Sequence, residues 1–163
     1  MAKNQRTTGP DEVQSLIADN RKAFFDYHIL DTFEAGIALL GTEVKGIREG
    51  HANLRDSYAR VEKGEIWLYN VHINAYSHRG YADHDPTRRR KLLLHRQEIR
   101  KLIGKTTEKG LTLVPTRMYF KNGKVKVALA LAKGKQAHDK RETMRRREVD
   151  RETRAAVKER VRQ

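Results

Sequence analysis

Apolar and polar positions alternate with a period of two along several stretches of this chain, and each stretch predicts a strand with one face turned inward. Phe25, Tyr27 and Ile29 alternate with Asp26 and His28, and Phe33, Ala35, Ile37 and Leu39 continue the period. Leu40-Gly41 ends that run, and Thr42 to Arg48 reads as a short helical turn with Val44 and Ile47 on one side. Two hairpins are the sharpest signals. Tyr58-Ala59-Arg60-Val61 and the run from Ile66 to Val71 flank Glu62-Lys63-Gly64-Glu65. Arg117-Met118-Tyr119-Phe120 and Val125-Lys126-Val127 flank Lys121-Asn122-Gly123-Lys124. Asn-Gly suits a two-residue turn whose central residues both need positive φ. Beyond it Val125, Val127, Leu129 and Leu131 face one way, and Lys126, Ala128, Ala130 and Ala132 the other.

Between the hairpins the pattern changes to that of a helix. Asp85 is placed to cap it, Pro86 fits the first helical position, and Gly104 supplies the stop. Leu92, Ile99, Leu102 and Ile103 form its apolar side; Arg88, Arg89, Arg90, Lys91, Arg96 and Arg100 lie around its start and outer face. Four consecutive cations, Arg88 to Lys91, repel one another and need a compensating partner. Phosphate is one such partner; an ordinary solvated face is the alternative. Five or six short strands with one substantial helix predict a mainly β fold, a small closed antiparallel barrel of the oligonucleotide-binding class with about three short-to-medium helices. The barrel is expected over residues 20–133, after a flexible leader, 1–19, and before a basic tail, 134–163.

Charge sharpens this picture. The 163 residues carry 35 Lys+Arg against 21 Asp+Glu, a net charge of +14. Residues 133–163 alone hold 12 cations and 6 acids and no aromatic residue. Such a segment buries too little to offset its ordering entropy, yet its Arg, Lys, Glu and Ala favour helix once a polyanion neutralises them. The tail is therefore expected to be disordered when free and helical against RNA. Phosphate neutralisation releases counterions, so a basic body with a basic tail points to nucleic acid. No stretch approaches the roughly 20 apolar residues of a membrane span, and no apolar signal region opens the chain, so a cytoplasmic location without membrane is expected. The absence of cysteine excludes disulfides and thiolate-bound metals.

Catalytic and ligand motifs are incomplete. Gly36 and Gly41 have phosphate-loop spacing but Thr42 stands where the lysine must be; Gly104-Lys105-Thr106 has the right ending but Ile99 replaces the first glycine. His78, Asp83, His84 and Asp85 share one loop without the helical spacing that aims two rings at a metal. No nucleophile–base set can be assembled around His28, His51, His72 or His95. No cofactor, metal or catalytic residue is expected. A ribosomal-protein-like component and a ribonuclease are the competing readings. Tyr27, Tyr58 and Trp67 are expected to pack the core.

Six motifs standing in order carry a resemblance. Asn20-Arg21-Lys22-Ala23, Glu34-Ala35-Gly36-Ile37, Gly41-Thr42-Glu43-Val44-Lys45, Asn53-Leu54-Arg55-Asp56-Ser57-Tyr58, Lys91-Leu92-Leu93-Leu94-His95 and the run from Gly134 to Arg141 resemble the SmpB family of SsrA-binding proteins. The resemblance implies an oligonucleotide-binding barrel, a non-enzyme, that binds the tRNA-like part of transfer-messenger RNA (tmRNA) and enters stalled ribosomes with it. There the RNA supplies alanine and a reading frame for a degradation tag. Implied partners are tmRNA, the ribosome through small-subunit rRNA, its decoding centre and mRNA channel, and, indirectly, elongation factor Tu with GTP and alanyl-tRNA synthetase. The RNA-bound protein is expected to be a monomer. Glu34, Leu93 and Lys126 align with family positions tied to RNA binding: Lys126 for a phosphate, Glu34 to accept from a base amino group or hold a neighbouring arginine, Leu93 to support a splayed base or pack the helix onto the barrel. Asn20 aligns with the family's asparagine near the first strand, to bond a base edge or cap a turn, and Arg88, Arg89, Arg90 and Lys91 join the expected RNA-binding set. Gly134 is the expected hinge of a ribosome-binding tail in which Lys135, His138, Asp139, Lys140, Arg141, Arg145, Arg146 and Arg147 act; His138 stands where other members carry tyrosine.

Overall fold

Both expected hairpins form, and their turns explain why. Lys63 and Gly64 have φ of 50° and 76°, and Asn122 and Gly123 have 51° and 73°, the two-residue pattern whose twist matches the flanking strands. In this computed structural model, which describes residues 14–74, 76, 84–108 and 110–161, the turns join β4 (Tyr58–Glu62) to β5 (Glu65–Tyr69) and β8 (Leu111–Lys121) to β9 (Lys124–Gly134).

The remaining strands complete a ring. β2 (Tyr27–Ile37) lies between β9 and β7 (Arg90–Leu93), and β7 pairs β5. The order β8-β4-β5-β7-β2-β9 closes through the β8–β9 pairing, so six antiparallel strands form the barrel and leave no open edge among themselves. β1 (Gln14–Asp19) adds to β8 beyond the point where β4 leaves it. This moves the barrel boundary back from residue 20, because Gln14 to Asp19 belong to the sheet rather than to a leader. β3 (Ala52–Asn53) and β6 (His72–Ile73) form a separate short ribbon. Residues 1–13 and the loop 77–83, with His78 and Asp83, lie outside the described residues.

Inward residues alternate as the pattern requires. Phe33, Ala35, Ala59, Ile66, Leu68, Leu92, Leu113, Met118, Val127 and Leu129 are buried together in the barrel. Ala130 and Ala132, expected to face outward with Lys126, are fully buried as well. The chain swings past a shift in register near Thr116, and there Ala132 packs against Val114 and Ala23.

Three helices cover the barrel: α1 (Arg21–Asp26), α2 (Gly41–Arg48) and α3 (Arg96–Thr106). Two depart from expectation. Phe25 is in a helix rather than a strand, because Asn20 caps α1 by accepting from the Ala23 N–H at 3.2 Å. The helix expected from Pro86 begins ten residues later, at Arg96. Asp85 instead accepts from the Thr87 N–H and hydroxyl in a local turn, Arg90 to Leu93 become strand, and Gly104 sits inside α3 rather than after it. The tail forms α4 (Ala137–Val161), a 25-residue helix with no buried residue.

Candidate nucleic-acid interface

Three of the four body positions singled out by sequence come together on one outward face. Gly36 of β2 stands opposite Leu93 of β7 on one side and Lys126 of β9 on the other. Directly opposite residues in antiparallel pairs point to the same face, so Leu93 and Lys126 flank Gly36, and Glu34, two residues along β2, shares that face. The glycine has a specific use: an added Cβ would stand 3.3 Å from the Leu93 Cβ, so its absence lets Leu93 lie over the strand. Leu93 is 52% exposed there and is not part of the core. An apolar side chain held against a strand with cations around it is a surface on which a base can rest.

Glu34 does not stand alone among cations. Its carboxylate accepts from the Tyr119 hydroxyl at 2.6 Å and from Lys121 Nζ at 3.2 and 3.3 Å. Partial burial alone would raise its pKa; the Tyr119 and Lys121 hydrogen bonds, with the charges of Lys121 and Lys126, outweigh that and hold the carboxyl below its usual range. Glu34 therefore orients a tyrosine and a lysine rather than a neighbouring arginine. Tyr119 and Lys121 were missed by sequence reasoning. Counting outward from the Asn122-Gly123 turn pairs Lys121 with Lys124 and Tyr119 with Lys126, a register the sequence carries.

Asn20 has a different role. It is buried, its carbonyl caps α1, and its amide nitrogen donates to Leu54 O at 3.2 Å and Pro115 O at 2.9 Å. It ties three chain segments together and has no exposed group to offer a base.

The Arg88–Lys91 run finds its compensating partners inside the protein. Glu43 of α2 is fully buried and accepts from Arg88 Nε at 2.8 Å and Nη2 at 2.6 Å and from Arg90 Nε at 2.9 Å, with Arg90 Nη2 2.7 Å away in the same ion pair. It also accepts from the Leu40 N–H at 2.8 Å, across the start of its own helix. Burial acts to raise the Glu43 pKa, but these donors and the Arg90 charge prevail and keep it lowered. Arg90 is fully buried, and its remaining donors reach the carbonyls of Val71, Arg88 and Pro86 at 2.8 to 3.1 Å. Arg90 is thus a core residue and cannot reach an external phosphate, contrary to the sequence expectation. Arg89 pairs with Glu62 at 3.0 Å and Lys91 pairs with Glu65. Arg88, Arg89 and Lys91 keep part of their surface exposed, so a polyanion would have to compete with these carboxylates for them.

The tail starts as an extension of the sheet. Gly134 pairs with Tyr27, and the Lys135 N–H donates to Asp26 O at 2.8 Å. Lys135 Nζ reaches Phe24 O at 3.2 Å, Lys140 pairs with Asp26 at 3.2 Å, and Arg147 lies 5.4 Å over the Phe25 ring. Asp139 faces His28 at 3.4 Å and His138 at 2.9 Å; the His28 contact is the chief reason its pKa is lowered. The helix expected of the tail against RNA is the form described here: its first turns rest on α1 and its composition favours helix throughout. Arg141, Arg145 and Arg146 are exposed, with Arg146 beside Glu142 at 3.5 Å.

His84 is buried, with Nδ1 3.2 Å from the Thr42 hydroxyl and Nε2 3.1 Å from Ile73 O. Nε2 donates to that carbonyl, and the two contacts fix the ring between α2 and β6. Among the described residues no three His, Asp or Glu side chains converge on one point, and no helix is long and apolar enough to cross a membrane.

The SmpB protein family model matches residues 17–159. The SsrA-binding protein of Syntrophobacter fumaroxidans is 58% identical over 152 residues, 93% of each chain. That of Trichodesmium erythraeum is 59% identical over 149 residues, covering 91% of this chain and 96% of the other. A chain in the solved structure "tmRNA-SmpB: a journey to the center of the bacterial ribosome" superposes with a TM-score of 0.64 at 52% identity, over 78% of this chain and 94% of that one.

Proposed function

The chain belongs to the SmpB protein family, and on that premise we propose that it binds the tRNA-like part of tmRNA on its barrel and brings that RNA to stalled ribosomes for rescue. The observation that carries this reading is the outward line Leu93–Gly36–Lys126 with Glu34 beside it: an apolar rest, a cation and an oriented acceptor on one rigid sheet face. Sheet-borne groups of this kind hold their spacing while an RNA backbone adapts to them. Lys126 supplies charge to a phosphate, Leu93 supports a splayed base, and Glu34 holds Tyr119 and Lys121 in place or accepts from a base amino group.

The tail acts separately. α4 begins as a helix at the barrel, and its exposed arginines can follow rRNA phosphates through the mRNA channel, with His138 placed to stack on a base of the decoding centre and Lys140 and Arg141 to anchor the backbone. Lys135 and Lys140 leave their α1 partners, and Asp139 leaves His28 of β2, when this happens. The protein serves as a non-catalytic cytoplasmic adaptor, and delivery with elongation factor Tu and charging by alanyl-tRNA synthetase are steps performed by those partners on the RNA it holds.

Recovery of bound RNA from cells followed by reconstituted rescue tests the reading. A structured RNA with a tRNA-like end, bound tightly and required together with this protein for alanine transfer to a stalled chain, is the expected result. Stoichiometric rRNA alone, or cleaved fragments, would replace it with a ribosomal-component or ribonuclease reading.

A further inference from the structure

The outward face continues past Leu93. Lys91 and Leu93 are alternate outward residues of β7, and Lys91 stands opposite Trp67 on β5. Trp67 in turn faces Arg60 on β4, and the pair Tyr58 and Tyr69 follows on the same side. The two tyrosine rings are stacked, with centroids 5.4 Å apart and planes 9° from parallel. The Arg60 guanidinium lies 5.7 Å over Tyr58, and that of Arg89 lies 4.6 Å over Trp67. Sequence reasoning assigned Tyr58 and Trp67 to the core. The structure turns Ala59, Ile66 and Leu68 inward instead and leaves these rings half-buried on the outer surface.

We propose that this Tyr58–Tyr69–Trp67 surface with Arg60 and Arg89 is a stacking platform for unpaired nucleotides of the RNA held at Glu34, Leu93 and Lys126. The proposal rests on the RNA-binding function above. A flat ring under a guanidinium presents a π-face that any base can cover, while the guanidinium N–H groups remain at its rim for phosphate. Glu62 and Glu65 on the same face do not oppose this. Glu62 accepts from the Tyr69 hydroxyl and from Arg89, and Glu65 from Lys91, so both acids are spent in fixing the platform's own rings and cations. Continuity decides the occupant: β7 carries both Lys91 and Leu93, and the span from β7 to β4 is two strand spacings, about 10 Å. A strand of RNA leaving Leu93 reaches Trp67 past Glu65, whose charge Lys91 already meets.

Trp67 is the one tryptophan of the chain, so its emission reports the platform directly. Titration of the full chain with transcribed tmRNA should quench Trp67 emission and shield it from acrylamide, at the same RNA concentration at which a labelled RNA is retained. Arg60→Ala and Trp67→Leu should each weaken binding about fivefold or more, the scale of one lost base stack, with Trp67→Phe within about twofold of the parent. Arg60 is exposed, so Arg60→Ala should also leave the thermal midpoint unchanged and decides the matter even where Trp67→Leu folds poorly. RNA retained at normal affinity with Trp67 emission and quenching unaltered overturns the platform and points to a protein partner for this face. Arg60→Ala at parental affinity overturns it equally. No RNA retained by the parent chain would instead remove the function on which the platform rests.

Discussion

Replacing Glu43 with Gln should destabilise this protein more than any exposed charge change, although the two side chains have nearly the same shape. The Glu43 carboxylate accepts from two guanidinium groups and one backbone N–H. Gln retains one oxygen and turns an NH2 toward the arginine donors. Arg90 is fully buried, so its charge has no water to fall back on. Removing one partner of a buried ion pair costs about 3–5 kcal/mol. Arg88 keeps 30% of its side chain exposed and can rehydrate, which places the expected loss at the lower end, about 3 kcal/mol. For a chain of this size that corresponds to a fall in Tm of roughly 6–12 °C. Thermal unfolding followed by circular dichroism measures it. The double variant Glu43→Leu, Arg90→Met should recover most of the loss, because an apolar pair replaces a buried charge pair at little net cost. Acid adds a signed check. The folded-state pKa of Glu43 lies below the ordinary 4.5, so its contribution is complete above that pH and is lost as pH falls through the lowered value. The Tm difference between parent and Glu43→Gln should thus be constant near neutrality and shrink in acid. A difference under about 2 °C at pH 7 would refute the reasoning.

Other outcomes follow from the site. Lys126→Ala should flatten the log–log salt dependence of RNA binding by about 0.7–0.9, one phosphate contact, with Tm unchanged; a full slope at full affinity would remove Lys126 from the interface. Asn20→Ala should do the reverse, lowering stability by about 1–3 kcal/mol through a lost cap and two unpaired carbonyls while the salt slope stays as it was. Truncation after Lys135 should leave tmRNA affinity near normal and abolish alanine transfer, and because the pairs with α1 and β2 that it removes are partly exposed it should lower stability by no more than about 1 kcal/mol. Tagging by the truncated chain at saturating concentration would reduce the tail to a general RNA attraction.

Local chemistry was legible in the sequence wherever a few neighbouring residues decide the outcome. Lys63-Gly64 and Asn122-Gly123 set their turns through positive φ, and the period of two in Val125 to Leu131 then fixed which side chains enter the barrel. The outward place of Lys126 follows from that alone. The identity of the tail as a basic, helix-favouring segment is also compositional. The Arg88–Lys91 run was not legible, because its fate is decided far along the chain. Arg, Lys and Leu favour helix, but pairing of Lys91 with Trp67 and of Leu93 with Gly36 makes the segment a strand, a tertiary choice that overrides local propensity. Once it is a strand, alternation turns Arg90 inward, and Glu43, 47 residues away, meets it there. The same closure turns Tyr58 and Trp67 outward. Sequence declares how much charge and how many rings a chain carries; only the closed barrel decides which of them are neutralised within it and which remain for RNA.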